Sequence, residues 1–197
     1  MIELTLEEAI KKIQPLDKEA MAYTHARWNT LGKPLYSLGR LEEMVTQFAG
    51  IYGDKNPHLG KKAVIVMAAD NGVVAEGVTQ TGQEVTNGTD NMAKGPAMSR
   101  EEAVRAIEVG IHMVEELVAK GYNLFATGEM GIGNTTTSSA VCSVLLDQPV
   151  EKVTGKGAGL TNKDLEHKIA VIKESIALNQ VDASDPLDVL SKVGGLD

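Results

Sequence analysis

The stretch Asn123-Leu-Phe-Ala-Thr-Gly-Glu-Met-Gly-Ile-Gly-Asn-Thr-Thr-Thr137 decides how the rest of the chain can fold. Its apolar start, Leu124 to Ala126, has the length of a buried strand. Three glycines follow, and a run of hydroxyl residues from Thr135 to Ser139 then opens an apolar segment. This order predicts a strand, a glycine-rich turn and the N-terminus of a helix.

Such a junction is chemically suited to an anion. The first turn of a helix carries N–H groups without intrahelical partners and a partial positive charge, and glycine lets the backbone approach a ligand closely. A phosphate group is the expected ligand. Glu129 lies in the same turn, and because its carboxylate would repel a phosphate, we expect it to face another part of the ligand, such as a ring N–H. The spacing matches neither the P-loop nor the dinucleotide-binding fingerprint, so an ordinary strand-to-helix turn is the alternative.

Upstream, Ala63 to Ala69, directly after Lys62, is a continuous apolar run, as expected of a parallel strand that is covered on both faces. It ends at Asp70-Asn-Gly72. Ligands of open parallel sheets lie beyond the carboxyl ends of the strands, which makes Asp70 and Asn71 candidate site residues. The same three residues are also ordinary turn chemistry, and the sequence leaves both interpretations open.

Polar residues suited to helix N-caps precede the apolar-periodic segments. They are Thr5, Asp17, Ser37, Ser99 and Thr161. The helix after Ser37 is predicted to bury a stripe of four large apolar side chains, namely Leu41, Met44, Val45 and Phe48. Helices that alternate with strands in this way predict an α/β fold with a parallel sheet.

A second glycine-rich turn, Gly155-Lys-Gly-Ala-Gly159, follows a predicted short strand from Val150 to Thr154 and precedes the helix capped by Thr161. Two such turns can face one ligand, and Lys156 and Lys168 can supply positive charge for a phosphate. For Lys168 the alternative is a solvated position on the helix surface.

Composition narrows the classes of function. A net charge of −8 and a pI of about 5.1 argue against nucleic acid or an anionic membrane as the main partner. The chain shows no apolar run of membrane-spanning length and no signal-peptide pattern, so a cytoplasmic location is expected. The four histidines do not have the spacing of metal ligands, and the single cysteine, Cys142, cannot form an intrachain disulfide. No metal or cofactor is predicted.

With these residues laid out, the chain resembles the nicotinate-nucleotide:dimethylbenzimidazole phosphoribosyltransferase family of cobalamin biosynthesis. Six motifs, which follow the family's order, carry the resemblance: Lys33-Pro-Leu-Tyr-Ser-Leu-Gly-Arg-Leu-Glu42, Val66-Met-Ala-Ala-Asp-Asn-Gly-Val73, Gly95-Pro-Ala-Met-Ser-Arg100, Gly128-Glu-Met-Gly-Ile-Gly-Asn-Thr-Thr136, Gly155-Lys-Gly-Ala-Gly159 and Asp188-Val-Leu-Ser-Lys-Val-Gly-Gly195. The resemblance implies a small helical region, residues 1–60, and a Rossmann-like phosphoribosyl-binding domain, residues 61–197. It also implies a homodimer that needs no metal.

The resemblance further implies an activity. Members of the family transfer the phosphoribosyl group from nicotinate mononucleotide to 5,6-dimethylbenzimidazole or a related base, and they release nicotinate and α-ribazole 5′-phosphate. By residue, it implies that Glu129 contacts the base, that Lys168 lies near the phosphate and that Thr81 lies beside the benzimidazole. It assigns the phosphate-binding turns to Gly131, Gly133, Asn134, Thr135, Thr136 and Gly157.

The sequence departs from the family in three places. Leu35-Tyr36 replaces Pro-Gly, several dozen residues are expected to be absent between Thr86 and Asn87, and the family's general-base glutamate belongs to a segment beyond Asp197. The catalytic base is therefore unassigned. A catalytically inactive nucleotide-binding module of the same family is the alternative function, and an unrelated nucleotide-binding α/β protein is a third.

Overall fold

The computed structural model describes residues 4–80 and 88–196, which form eight α-helices, one 3-10 helix and two strands. In chain order these are α1 (Leu6–Lys12), α2 (Lys18–Trp28), α3 (Arg40–Tyr52), β1 (Lys61–Asp70), the 3-10 helix (Gly72–Glu76), α4 (Arg100–Ala119), β2 (Tyr122–Ile132), α5 (Asn134–Leu145), α6 (Val150–Val153), α7 (Asn162–Leu178) and α8 (Pro186–Val193). The strands pair in parallel, so the predicted α/β fold with a parallel sheet and flanking helices is confirmed.

Most helices begin where their local chemistry predicts. Thr5, Ser99 and Thr161 each form a complete capping box, in which the hydroxyl accepts from the third helical N–H and an acidic side chain reaches back. The predicted helix α3 forms, but its predicted cap at Ser37 is wrong. The Ser37 N–H donates to the Pro34 carbonyl within a turn, and the chain enters α3 only after Gly39, whose φ of 53° favours glycine.

The predicted apolar stripe of α3 is also wrong in part, because Leu41 and Met44 are more than half exposed. The helix instead packs on α2 through small residues. A Cβ atom added to Gly50 would lie 2.6 Å from Cγ of Met21. Because α2 approaches this closely, the face of α3 that carries small residues packs on α2, and the large side chains of Leu41 and Met44 lie at the surface.

The two strands pair along their whole length, from Lys61 opposite Tyr122 to Asp70 opposite Ile132. One face of this sheet is open. Val64 is 72% exposed and Val66 is 61% exposed. Among the described residues, therefore, the prediction of a strand covered on both faces is wrong.

The core lies among the helices that follow the sheet. Its buried apolar residues come mainly from α5, α7, α8 and the segment that leads into α4: Val73, Val78, Met92, Ala97, Met98, Ala103, Ala140, Val150, Val171, Ile172, Val189 and Val193. Backbone hydrogen bonds from Ala97 to Lys192 and from Met98 to Ser191 tie that segment to α8. This core fixes α5 and α7 relative to each other.

Two further boundaries differ from the prediction. β2 continues to Ile132, so Gly128 and Gly131 belong to the strand, and only Gly133, with φ 82°, makes the turn. The segment Val150–Val153 is one helical turn rather than a strand. Its local hydrogen bonds explain this, because the N–H of Thr154 donates to the Val150 carbonyl.

The three N-terminal helices have different packing partners. α2 and α3 pack on each other, whereas α1 lies on α4, where the Leu6 N–H donates to Oε1 of Glu108 at 3.0 Å. Searched over the described ranges, the structure contains no helix with the length and apolarity that a membrane crossing requires.

Candidate functional site

The structure brings the two glycine-rich turns together. Nζ of Lys168, on α7, donates to Oγ1 of Thr135 at 2.8 Å and to the carbonyl of Gly155 at 3.3 Å. Thr135 belongs to the first turn of α5, and Gly155 begins the second glycine-rich turn. One lysine therefore links both turns.

Lys168 is buried, with only 1% of its surface exposed, so the solvated alternative is wrong. Its ammonium group donates to two neutral oxygens, and no carboxylate of residues 4–80 or 88–196 pairs with it. Burial lowers the pKa of Lys168 below its ordinary value of 10.5. A buried cation without a counter-charge is a favourable place for an anion.

Gly157 packs directly against this lysine and Thr135. Its φ is 56°, and a Cβ added to it would lie 3.0 Å from Oγ1 of Thr135 and 3.6 Å from Nζ of Lys168. Both the backbone angle and the space therefore favour glycine here. A cavity of about 10 Å³ lies between these residues and Lys156. This volume holds at most one water, so a phosphate requires the walls of the cavity to separate.

Glu129 lies at the end of β2 and folds back over the start of α5. Its Oε2 accepts from the N–H of Gly131 at 3.0 Å and from the side-chain amide of Asn134. The carboxylate is exposed, and it is oriented by these two donors rather than by a cation. Glu129, Gly131 and Asn134 therefore form one local group, which is ready to accept a hydrogen bond from a ligand.

The remaining predicted residues lie around the same junction or outside the described ranges. Gly133 and Thr136 are buried at the start of α5, and Oγ1 of Thr136 has no hydrogen-bond partner among the described residues. Asp70 is 2% exposed at the end of β1, opposite Ile132, and its carbonyl accepts from the Thr89 N–H at 3.1 Å. Thr81 lies outside the described residues.

Asn71 was a candidate together with Asp70, but the sequence did not indicate what its side chain would contact. It is fully buried, and its side-chain amide contacts both β2 and α5. Its position directly after an apolar strand was the available signal. The partners on two other elements could be found only from the fold.

The arrangement can bind an anion through one buried ammonium, hydroxyl groups and the N-terminus of α5. It can also hold a ring N–H through Glu129. Within the part of the chain that the structure describes, no group of three or more His, Cys, Asp or Glu side chains is placed to hold a metal ion.

A phosphoribosyltransferase family model matches the chain in two stretches, residues 13–87 and 84–197. Nicotinate-nucleotide–dimethylbenzimidazole phosphoribosyltransferase of Acetivibrio thermocellus is 45% identical over 237 aligned residues, which cover 96% of this chain and 68% of that protein. The protein of the same name from Ruminiclostridium cellulolyticum is 44% identical over 241 residues, covering 98% of this chain and 68% of that protein. Because these alignments are longer than the 197 residues of the chain, the relatives contain residues without a counterpart here.

Solved structures give the same similarity. The crystal structure of CobT from Thermus thermophilus superposes with a TM-score of 0.81 at 32% identity and covers 90% of this chain and 68% of that one. A second structure from the same organism, of the nicotinate-nucleotide-dimethylbenzimidazole phosphoribosyltransferase, gives a TM-score of 0.80 at 32% identity and covers 92% of this chain and 68% of that one.

Proposed function

This chain belongs to the phosphoribosyltransferase family whose model it matches, and on that premise we propose that it transfers the phosphoribosyl group of nicotinate mononucleotide to 5,6-dimethylbenzimidazole or a related base. The products are α-ribazole 5′-phosphate and nicotinate, in the lower-ligand branch of cobalamin biosynthesis. The names of its relatives give the nucleotide, the acceptor base and the transferred group.

The observation that carries the proposal is the buried ammonium of Lys168 between the two glycine-rich turns. We place the 5′-phosphate of the nucleotide against Lys168, Gly157 and the hydroxyl of Thr135. Gly133 and Thr136 support this subsite from the start of α5. A phosphate supplies the counter-charge that the described residues do not give Lys168.

The benzimidazole is assigned to the other side of the junction between β2 and α5. Glu129 accepts hydrogen bonds from the N–H of Gly131 and from Asn134, and it keeps lone pairs for a ring N–H of the incoming benzimidazole. Asp70, at the end of β1 opposite Ile132, is assigned to the same edge of the sheet. Thr81 is assigned to the benzimidazole side by the family resemblance alone.

In the reaction the bond between C1′ of the ribose and the nicotinate nitrogen breaks, and a bond from C1′ to the benzimidazole nitrogen forms. Nicotinate takes the electron pair of the broken bond, and a catalytic base accepts the proton of the benzimidazole N–H. Binding both reactants at one junction supplies much of the rate, because it replaces a bimolecular encounter by a positioned one.

The cellular setting is part of the same proposal. We place the protein in the cytoplasm, where small-molecule substrates are its partners, and we infer a homodimer. We also divide the chain into a small helical region, residues 1–60, and a phosphoribosyl-binding domain, residues 61–197.

The test is a reaction of the purified chain with nicotinate mononucleotide and 5,6-dimethylbenzimidazole, followed by chromatography of both products. We expect α-ribazole 5′-phosphate and nicotinate in equal amounts. Nucleotide binding by calorimetry without product would identify the inactive binding module instead. Neither binding nor product would refute the proposed function.

A further inference from the structure

Asn71 occupies the junction of three elements. It follows the last residue of β1, is 0% exposed and starts the 3-10 helix. Its backbone N–H and its Nδ2 both donate to the carbonyl of Ile132, at 3.1 Å and 3.2 Å. Its Oδ1 lies 3.2 Å from Oγ1 of Thr137, on α5, whose hydroxyl is shared between this oxygen and the carbonyl of Asn134 at 3.0 Å.

These contacts lie on both sides of Gly133, where the chain turns from β2 into α5. Ile132 ends β2, Gly133 turns with φ 82°, and Thr137 lies in the second turn of α5. A Cβ added to Gly133 would lie 2.7 Å from Cγ2 of Val74 and 3.5 Å from Cβ of Asn71. The amide therefore contacts both sides of the turn, while the side chains of Val74 and Asn71 pack against Gly133.

An amide is required for this double contact. The Nδ2 group donates to Ile132 and the Oδ1 atom accepts from Thr137, whereas a carboxylate of the same size has no donor and a leucine has neither group. Aspartate places a carboxylate oxygen against the Ile132 carbonyl, and leucine removes both side-chain hydrogen bonds. Ile132 keeps the backbone N–H of residue 71 and the Thr137 hydroxyl keeps the Asn134 carbonyl, so each exchange weakens the side-chain link between β2 and α5 without leaving these groups unpaired.

We propose that Asn71 is a positioning residue for the nucleotide phosphate. By fixing the turn at Gly133, it sets the direction of α5, and so it places the N–H groups of that helix and Oγ1 of Thr135 against Nζ of Lys168. The inference rests on the proposed function, because it assigns Asn71 to the phosphate subsite of the same site.

The test compares Asn71→Asp, Asn71→Leu and Thr137→Val with the unchanged chain. We expect each variant to bind nicotinate mononucleotide and inorganic phosphate about tenfold more weakly by calorimetry. The KM for the nucleotide should rise by the same factor, while the KM for the benzimidazole stays within twofold. Thr137→Val is the milder variant, since it keeps the shape of the side chain and removes only the hydroxyl.

The matched control is Asn179→Leu. Asn179 is another buried asparagine, whose Nδ2 donates to the carbonyls of Met92 and Ser175, and it is not part of the proposed phosphate subsite. It should lose stability like the Asn71 variants but keep the nucleotide affinity.

Two results would overturn the positioning role: unchanged phosphate affinity in folded Thr137→Val and Asn71→Asp, or an equal loss of affinity in Asn179→Leu. If the unchanged chain binds no nucleotide at all, the proposed function fails, and the role of Asn71 fails with it.

Discussion

Replacing Lys168 by methionine separates the functional from the structural role of the buried cation. Methionine keeps most of the side-chain volume and removes the ammonium group. In the unchanged chain that group donates to Thr135 and Gly155 and has no counter-charge among the described residues. The substitution therefore removes a charge that is unfavourable to bury and favourable for binding an anion.

The expected magnitudes follow from these contacts. A hydrogen bond from a charged donor is worth about 1.5–3 kcal/mol, and a loss of about 2 kcal/mol weakens nucleotide binding about thirtyfold. Stability should change little. The variant no longer buries an unpaired charge, which offsets the two lost hydrogen bonds, so we expect the free energy of unfolding to stay within about 1 kcal/mol.

Calorimetric titration with nicotinate mononucleotide and urea denaturation measure the two quantities independently. Lys173→Met is the matched control on the same helix, because Lys173 is half exposed and pairs with Glu151; it should leave both quantities unchanged. Wild-type nucleotide affinity in folded Lys168→Met would refute the anion site. A loss of several kcal/mol in stability would instead show that the ammonium is structural.

The pH dependence of stability tests the same lysine. Its pKa is lowered in the folded protein, so the unfolded chain binds more protons at pH values between the folded pKa and 10.5. The free energy of unfolding should therefore rise with pH in this window, relative to that of Lys168→Met. A difference between the two proteins that stays constant or falls as pH rises would contradict the burial of the charge.

Three further substitutions test other features. Glu129→Gln should raise the KM for the benzimidazole about tenfold with little effect on nucleotide binding, measured by steady-state kinetics and calorimetry; equal losses would remove its role toward the base. Gly157→Ala should cost about 1–2 kcal/mol in urea denaturation, because alanine is strained at φ 56°; unchanged stability would contradict this. Val66→Thr should change stability by less than about 0.5 kcal/mol and reduce binding of a hydrophobic dye; a loss above about 2 kcal/mol would mean that this face is covered.

The features that the sequence predicted well depend on neighbouring residues. Helix caps at Thr5, Ser99 and Thr161 follow from a hydroxyl and an acid three residues apart, and all three form. The idea that two glycine turns face one ligand also came from local order, and the contact between Lys168 and Thr135 supports it.

The features that the sequence did not predict depend on distant partners. β2 continues through its glycines because β1 supplies hydrogen bonds along the full strand, down to the pair of Asp70 and Ile132. The burial of Lys168 results from the packing of α7 on α5, and the outward turn of Leu41 results from the close approach of α2 to α3. None of these partners lies within a few residues of the position that it decides.

The open face of the sheet also determines how the protein should be handled. Val64, Val66 and Met130 present apolar surface to water, and the attraction between such surfaces weakens on cooling and strengthens in sulfate or phosphate. Preparations should accordingly be least turbid when they are kept cold and at low salt. Phosphate buffer is a poor choice for two reasons, since it would occupy the proposed nucleotide site and at the same time promote self-association.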